Sequence, residues 1–242
     1  MPHGAPDGYQ YQLQGGKDIL ADLGELAARI DAHDVWDRRG QVVWHDRFES
    51  GLSAWRVGGG GTGNTIYVTA VDTEFGPYAL VLVAGSDAGK NAQVFKYFPV
   101  PEINKWGLEL GLALTTTFNY FSISLSRTHD EVKQQAYVII DHDLGAIRII
   151  EAGGGYITLG TIGDPVGSYK LYQQIKVVAD FDTKKYVRVL YNDTEYDVSA
   201  YDLYESPDLD IDNQKTVLNI AGRTGSNDTA TLGHVIITVG EP

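Results

Sequence analysis

Leu108, Leu110, Leu112 and Leu114 alternate with Gly107, Glu109, Gly111 and Ala113, a period of two. Successive side chains of a strand point to opposite faces, so this segment predicts a strand with one buried face and one slim face. Short β-rich runs follow at 66–71, 78–83, 120–126, 135–140, 146–151, 156–162, 173–181, 186–191, 217–221 and 234–239. Between them lie turn-forming stretches: Asp141-His142-Asp143-Leu144-Gly145, Gly153-Gly154-Gly155 and Asp182-Thr183-Lys184-Lys185. Asp and Gly tolerate the left-handed backbone that tight turns need. Gly58 to Gly61, with Gly63, read as a flexible loop. So many short strands, with almost no helical pattern after residue 34, predict two packed antiparallel sheets.

The first 35 residues obey another period. Asp18 is placed to cap a helix, and Ile19, Leu23, Leu26 and Ile30 follow at steps of four, three and four. They form one apolar stripe on a helix ending near His33. A helix this short is marginal alone in water, so the stripe must pack on something. Two partners stay open: the chain's own sandwich, or a coiled-coil seam that joins subunits in a homo-oligomer or larger assembly. Residues 1–16, rich in Gly, Pro, Gln and Tyr, read as an extended arm. The expected organisation is therefore an arm at 1–16, a helix at 17–35 and one β-sandwich at 42–240, with no internal repeat.

Composition narrows the partners. The 242-residue chain is 43% hydrophobic, enough for a sizeable core. Its net charge of −13 opposes nucleic-acid binding, which relies on Lys and Arg displacing counterions from phosphates, and disfavours anionic membrane surfaces. No apolar run approaches the roughly 20 residues that would insert through a bilayer. Without cysteine there is no disulfide, thiolate metal site or cysteine nucleophile. The opening residues lack the basic and apolar segments of a secretion signal. The expected location is a virion or an extracellular surface, reached by another route or by cell lysis.

Asp46-Arg47-Phe48-Glu49-Ser50-Gly51-Leu52-Ser53-Ala54-Trp55, followed by Gly76-Pro77-Tyr78-Ala79-Leu80, resembles the opening of jelly-roll modules that read D-x-F-E-x-G-L-x-x-W and G-x-Y-x-L. Residues 173–182 and 185–193 look like the late hairpin of concanavalin A-like (laminin G-like) sandwiches, and 234–239 like their closing strand. The resemblance implies an all-β jelly-roll sandwich. It also implies carbohydrate binding, or structural and attachment roles on bacterial surfaces and phage particles. An arm and helix ahead of such a sandwich resemble the layout of phage virion proteins. Many relatives carry an acidic calcium ligand in the closing strand where this chain has His234, a departure that weakens calcium binding by carry-over.

Chemical motifs are sparse. Glycosidases need two carboxylates about 5–10 Å apart across the sugar bond. Glu109 stands alone on its strand and reads as a solvent-side or sheet-face polar residue, while Asp180 and Asp182 border a hairpin turn. Asp208, Asp210 and Asp212 are spaced as a calcium loop might be, but Asn213 and Asn219 occupy the positions where an EF-hand loop wants Gly and Glu. Asp141 and Asp143 with His142 could ligate a cation but fit a hairpin turn better. No HExxH, G-x-S-x-G or phosphate-loop pattern is complete. Tyr196, Tyr201 and Tyr204 cluster near the acidic loop as a candidate sugar platform, since sugars stack on aromatic faces. The expected function is a non-catalytic structural or attachment protein that self-assembles through Ile19, Leu23, Leu26 and Ile30, most plausibly a phage capsid-decoration or tail component. A carbohydrate-binding module is the alternative, and a glycoside hydrolase a more distant one. No cofactor is expected beyond a structural calcium at Asp208, Asp210 and Asp212.

Overall fold

The computed structural model describes residues 37, 39–74, 76–86, 90–99, 103–114, 118–162, 172–209 and 212–242. The chain divides into two units, Met1–Arg38 and Arg39–Pro242. Apart from Asp37 the described residues belong to the second. The arm, the helix and its stripe (Ile19, Leu23, Leu26, Ile30) lie outside the described residues, as does Asp210.

The second unit is an all-β, two-sheet antiparallel sandwich. Its strands are β1 (Gln41–Asp46), β2 (Arg56–Gly60), β3 (Thr65–Thr69), β4 (Ala79–Val83), β5 (Asn91–Phe98), β6 (Lys105–Leu114), β7 (Tyr120–His129) and β8 (Val132–Asp141). They continue with β9 (Ala146–Ile150), β10 (Tyr156–Thr161), β11 (Gln173–Asp180), β12 (Lys185–Tyr191), β13 (Thr194–Asp197), β14 (Tyr204–Pro207), β15 (Asn213–Ala221) and β16 (Thr229–Val239). Sheet A runs β13-β12-β11-β6-β16-β4-β3, with β1 also on β16; sheet B runs β10-β9-β8-β7-β15-β5-β2, with β14 also on β8. Strands distant in sequence lie side by side, the crossing pattern of a jelly roll.

The predicted leucine alternation holds. Leu108, Leu110, Leu112 and Leu114 of β6 face Phe121, Ile123 and Leu125 of β7 and Leu218 and Ile220 of β15 within one core. The opening motif acts as a clamp. The Asp46 carboxylate accepts the Phe48 amide at 2.7 Å and the Trp55 indole N–H at 2.8 Å. Phe48 is fully buried and holds a positive φ of 63°, a conformation L-residues avoid, so the Asp46 acceptor secures a strained turn.

Two expectations change, and β5 is a strand that the pattern does not predict. The glycine run at 58–61 is partly strand: Gly58 to Gly60 pair with β5, and a Cβ at Gly58 would press on the Gln93 side chain. Strand β5 escapes the alternation test because both of its faces carry aromatic rings. Glu109 is not solvent-facing; it is fully buried on the outward side of sheet A.

The candidate glycan face and the buried polar face

The two outward faces differ sharply. On sheet A, Glu109, Lys176, Arg188, His234, Thr238 and Glu241 are all 5% exposed or less. Lys176 Nζ lies 2.9 Å from Glu241, 3.8 Å from Glu109 and 3.0 Å from the Arg39 carbonyl. Arg188 and Thr238 also hold the Glu241 carboxylate. His234 sits between two acids, Nδ1 at 2.9 Å from Glu74 and Nε2 at 4.0 Å from Glu109. Gly111 and Gly233 make this possible, since a Cβ at either would overlap the Glu74 carboxylate. Glu74 and Glu109 are thus a carboxylate pair, but one engaged inside the fold. The donors do not suit the calcium implied by resemblance: an imidazole and an ammonium lie where a hard cation would need oxygens.

The outward face of sheet B is ridged: Arg56 and Tyr97 are exposed and Tyr137, Phe95 and Lys215 half-buried, over a floor of buried serines. Core contacts of Phe121, Ile123 and Leu125 leave Ser122, Ser124 and Ser126 of β7 pointing outward, and the same alternation turns out Tyr137 on β8 and Phe95 and Tyr97 on β5. Register aligns them in rows. One row runs Tyr137, Ser124, Val217, Phe95, Arg56; the next runs Tyr204, Gln135, Ser126, Lys215, Tyr97. Small serines therefore lie between two aromatic ridges. Tyr137 and Phe95 stand three strand spacings apart, about 14 Å, and Tyr204 and Tyr97 four, about 19 Å, room for a sugar chain.

Hydrogen bonds hold the floor. Asn91 donates to Asn219 at 2.9 Å, Asn219 to Ser122 at 3.2 Å, and Gln135 to Ser124 at 2.5 Å. Beyond them, Arg148 stacks 4.3 Å over Tyr156 and pairs with Asp141 at 2.9 Å. Burial holds the Tyr137 phenol above its ordinary pKa, with neighbouring Tyr120 and Tyr156 adding to the effect against a lowering bond from Ser122. Burial and then Tyr156 do the same for Tyr120. Both phenols stay neutral through the physiological range and can donate as well as accept, as recognition of sugar hydroxyls requires.

The residues named from sequence disperse. Tyr196 and Tyr201 pack against the core, with the Tyr196 side chain over Gly160 of β10. Tyr204 stands on β14 beside Gln135, on the aromatic ridge. Asp208 accepts from Thr128 at 3.2 Å; Asp212 pairs with His129 at 2.6 Å, which lowers its carboxyl pKa. Among the described residues, His129, Asp130 and Asp212 are the group whose ligand atoms come within 4.8 Å of one another, all exposed. Two carboxylates and one imidazole resemble a transition-metal set more than a calcium one. Asp141 and Asp143 are engaged by Arg148 and Arg223, and Asp180 caps its hairpin through the amides of Asp182 and Thr183. Phe95, Tyr97, Arg56 and Lys215 are the face residues that strand patterning missed.

No protein-family model matches the chain, and no curated protein does. Solved structures do. A sialidase superposes with a TM-score of 0.56 at 9% identity over 84% of this chain, which spans 19% of the sialidase's length. A Bacillus subtilis protein of unknown function with a galectin-like fold gives 0.52 at 10% identity, covering 84% of this chain and 97% of that one. A carbohydrate esterase from the Shiga toxin-encoding bacteriophage phi24B gives 0.50 at 10% identity, covering 83% and 99%. At these identities the likeness is one of fold, and the fold is that of the concanavalin A-like jelly-roll sandwiches.

Proposed function

We propose that the chain is a non-catalytic attachment protein that binds a glycan across the outward face of sheet B. The observation that carries this is the pair of aromatic ridges flanking the buried serines of β7, Tyr137 and Tyr204 on one side and Phe95 and Tyr97 on the other. Aromatic rings offer sugars an apolar stacking surface, and the half-buried Gln135 and Lys215 between them offer polar groups to hydroxyls. Binding is favoured over hydrolysis because, among the described strand residues, Asp141 is the one carboxylate that alternation turns to this face, and Arg148 already holds it. A glycosidase there would lack its second acid. A glycan array probed with the full chain tests the reading. Retention of at least one glycan family, weakened roughly tenfold by Tyr97→Ala, is expected from the loss of one stacking ring; no retained glycan overturns it.

Assembly is a second element of the proposal, favoured by the stripe Ile19, Leu23, Leu26 and Ile30. A surface or virion component multiplies weak glycan contacts by presenting several copies together. Light scattering of the full chain and of a variant lacking residues 1–35 decides it: an oligomer that falls to a monomer supports assembly, and a monomer from the start contradicts it.

A further inference from the structure

We infer that the glycan taken by sheet B is anionic, bearing carboxylate or sulfate groups, and that Arg56 and Lys215 read its charge. This rests on the glycan-binding reading and specifies its ligand. In a chain of net charge −13, the outward face of sheet B is basic: it carries Arg56, Lys133, Arg148 and Lys215 against Asp141. Arg148 is matched by Asp141. Arg56 and Lys215 have no carboxylate within 4 Å among the described residues, and aromatic rings hold them instead. Arg56 Cζ and Lys215 Nζ each lie 5.2 Å from the centre of the same Tyr97 ring, and Lys215 also lies 4.8 Å from Phe95. Phe95 and Tyr97 meet edge to face at 5.8 Å, which fixes the pair as a platform.

Arg56 and Lys215 reach the Tyr97 ring from the two strands that flank β5, and the ring quadrupole holds each of them. An anion lying over the outward edge of the Tyr97 ring gains a charge-assisted hydrogen bond from the cation on either side of it. Val217 and Ser124 continue the row from Phe95 toward Tyr137, so a sugar whose acid group meets Arg56 and Lys215 would lay its ring along the trough. The strongly negative remainder of the chain repels polyanions in general. It thereby confines their binding to this face and selects against long nucleic acids.

The test uses the full chain on a panel of uronate-, sialate- and sulfate-bearing oligosaccharides, each beside its neutral counterpart. The probes also include duplex DNA and phosphatidylserine vesicles. Retention of acidic members over their neutral counterparts is expected, weakening as salt rises from about 0.05 to 0.5 M. Arg56→Gln with Lys215→Gln should lose about tenfold on the acidic members, the scale of a charge-assisted bond. Lys215→Arg keeps the charge and should retain binding. Thermal melts of each variant separate lost charge from lost fold. Equal retention of neutral counterparts, or acidic binding unchanged in the double variant, overturns the charge assignment and leaves the glycan reading standing. No retained glycan overturns both. Equal binding to DNA or vesicles reduces the site to a general polyanion patch and overturns the inference.

Discussion

The phenol of Tyr186, rooted in sheet A, crosses the core to the backbone of Tyr137 in sheet B, accepting its amide N–H at 2.9 Å. The same hydroxyl donates to the Ile150 carbonyl at 2.8 Å. Its position is explained by pairing: β9 meets β8 from Val138 onward and β14 meets it up to Gln135, so Tyr137 falls in the gap. Orphaned backbone groups in a buried gap are costly, and the phenol satisfies them. A residue of the core thereby positions one of the aromatic ridges. Tyr186→Phe should destabilise the fold by about 1–3 kcal/mol, the range for stranding a buried polar group. Urea unfolding checks the stability, and glycan affinity should fall alongside it as Tyr137 loses its support.

Alkaline pH should act through the same group. Burial raises the Tyr186 phenol well above its ordinary value of 10.0, raises Tyr172 similarly and pushes Tyr191 up to about 12. The unfolded chain then releases these protons first, so stability is intact below pH 10 and falls as pH rises beyond it. Unfolding midpoints at about pH 9 and 11 should differ, with a smaller drop in Tyr186→Phe. Equal midpoints would contradict the burial of these phenols.

The Asp46 clamp gives a third test. Asp46→Ala removes the acceptor of the Phe48 amide and the Trp55 indole together. A loss of about 2 kcal/mol or more is expected in denaturant unfolding. A loss below about 0.5 kcal/mol, the range of ordinary surface changes, would show that the turn holds without it.

On sheet A, Glu241 accepts from Arg188, Thr238 and Lys176 while almost fully buried. Glu241→Gln keeps the shape and removes the charge. Hydrogen bonds to charged groups are each worth about 1.5–3 kcal/mol, so a destabilisation of that size is expected by calorimetry.

Sequence pattern carried the sandwich because one-sided strands such as β6 announce themselves through their leucines. It failed on β5, where Phe95 and Tyr97 face out while Val94 and Phe98 face in, so apolarity ceases to alternate. Glu109 misled for a related reason. Period two turns it away from the core, but Glu74 and His234, far away in the chain, meet it there. The candidate glycan face was the least legible part. Its residues come from β2, β5, β7, β8, β14 and β15, and only strand register places Tyr204 and Tyr97 in one row. Tyrosines close in sequence suggested a platform, yet Tyr196 and Tyr201 turn toward the core.

The measurement that bears most directly on glycan binding by sheet B is a comparison of two aromatic deletions on the glycan array. Tyr97→Ala with Tyr204→Ala removes one ring from each ridge of sheet B, while Tyr67→Ala removes an exposed ring on the outward side of sheet A. The expected result is loss of glycan retention in the sheet B double variant and full retention in Tyr67→Ala, with both folded by thermal melt. Retention unchanged in the double variant, or lost on removing Tyr67 alone, would contradict the placement of the site on sheet B.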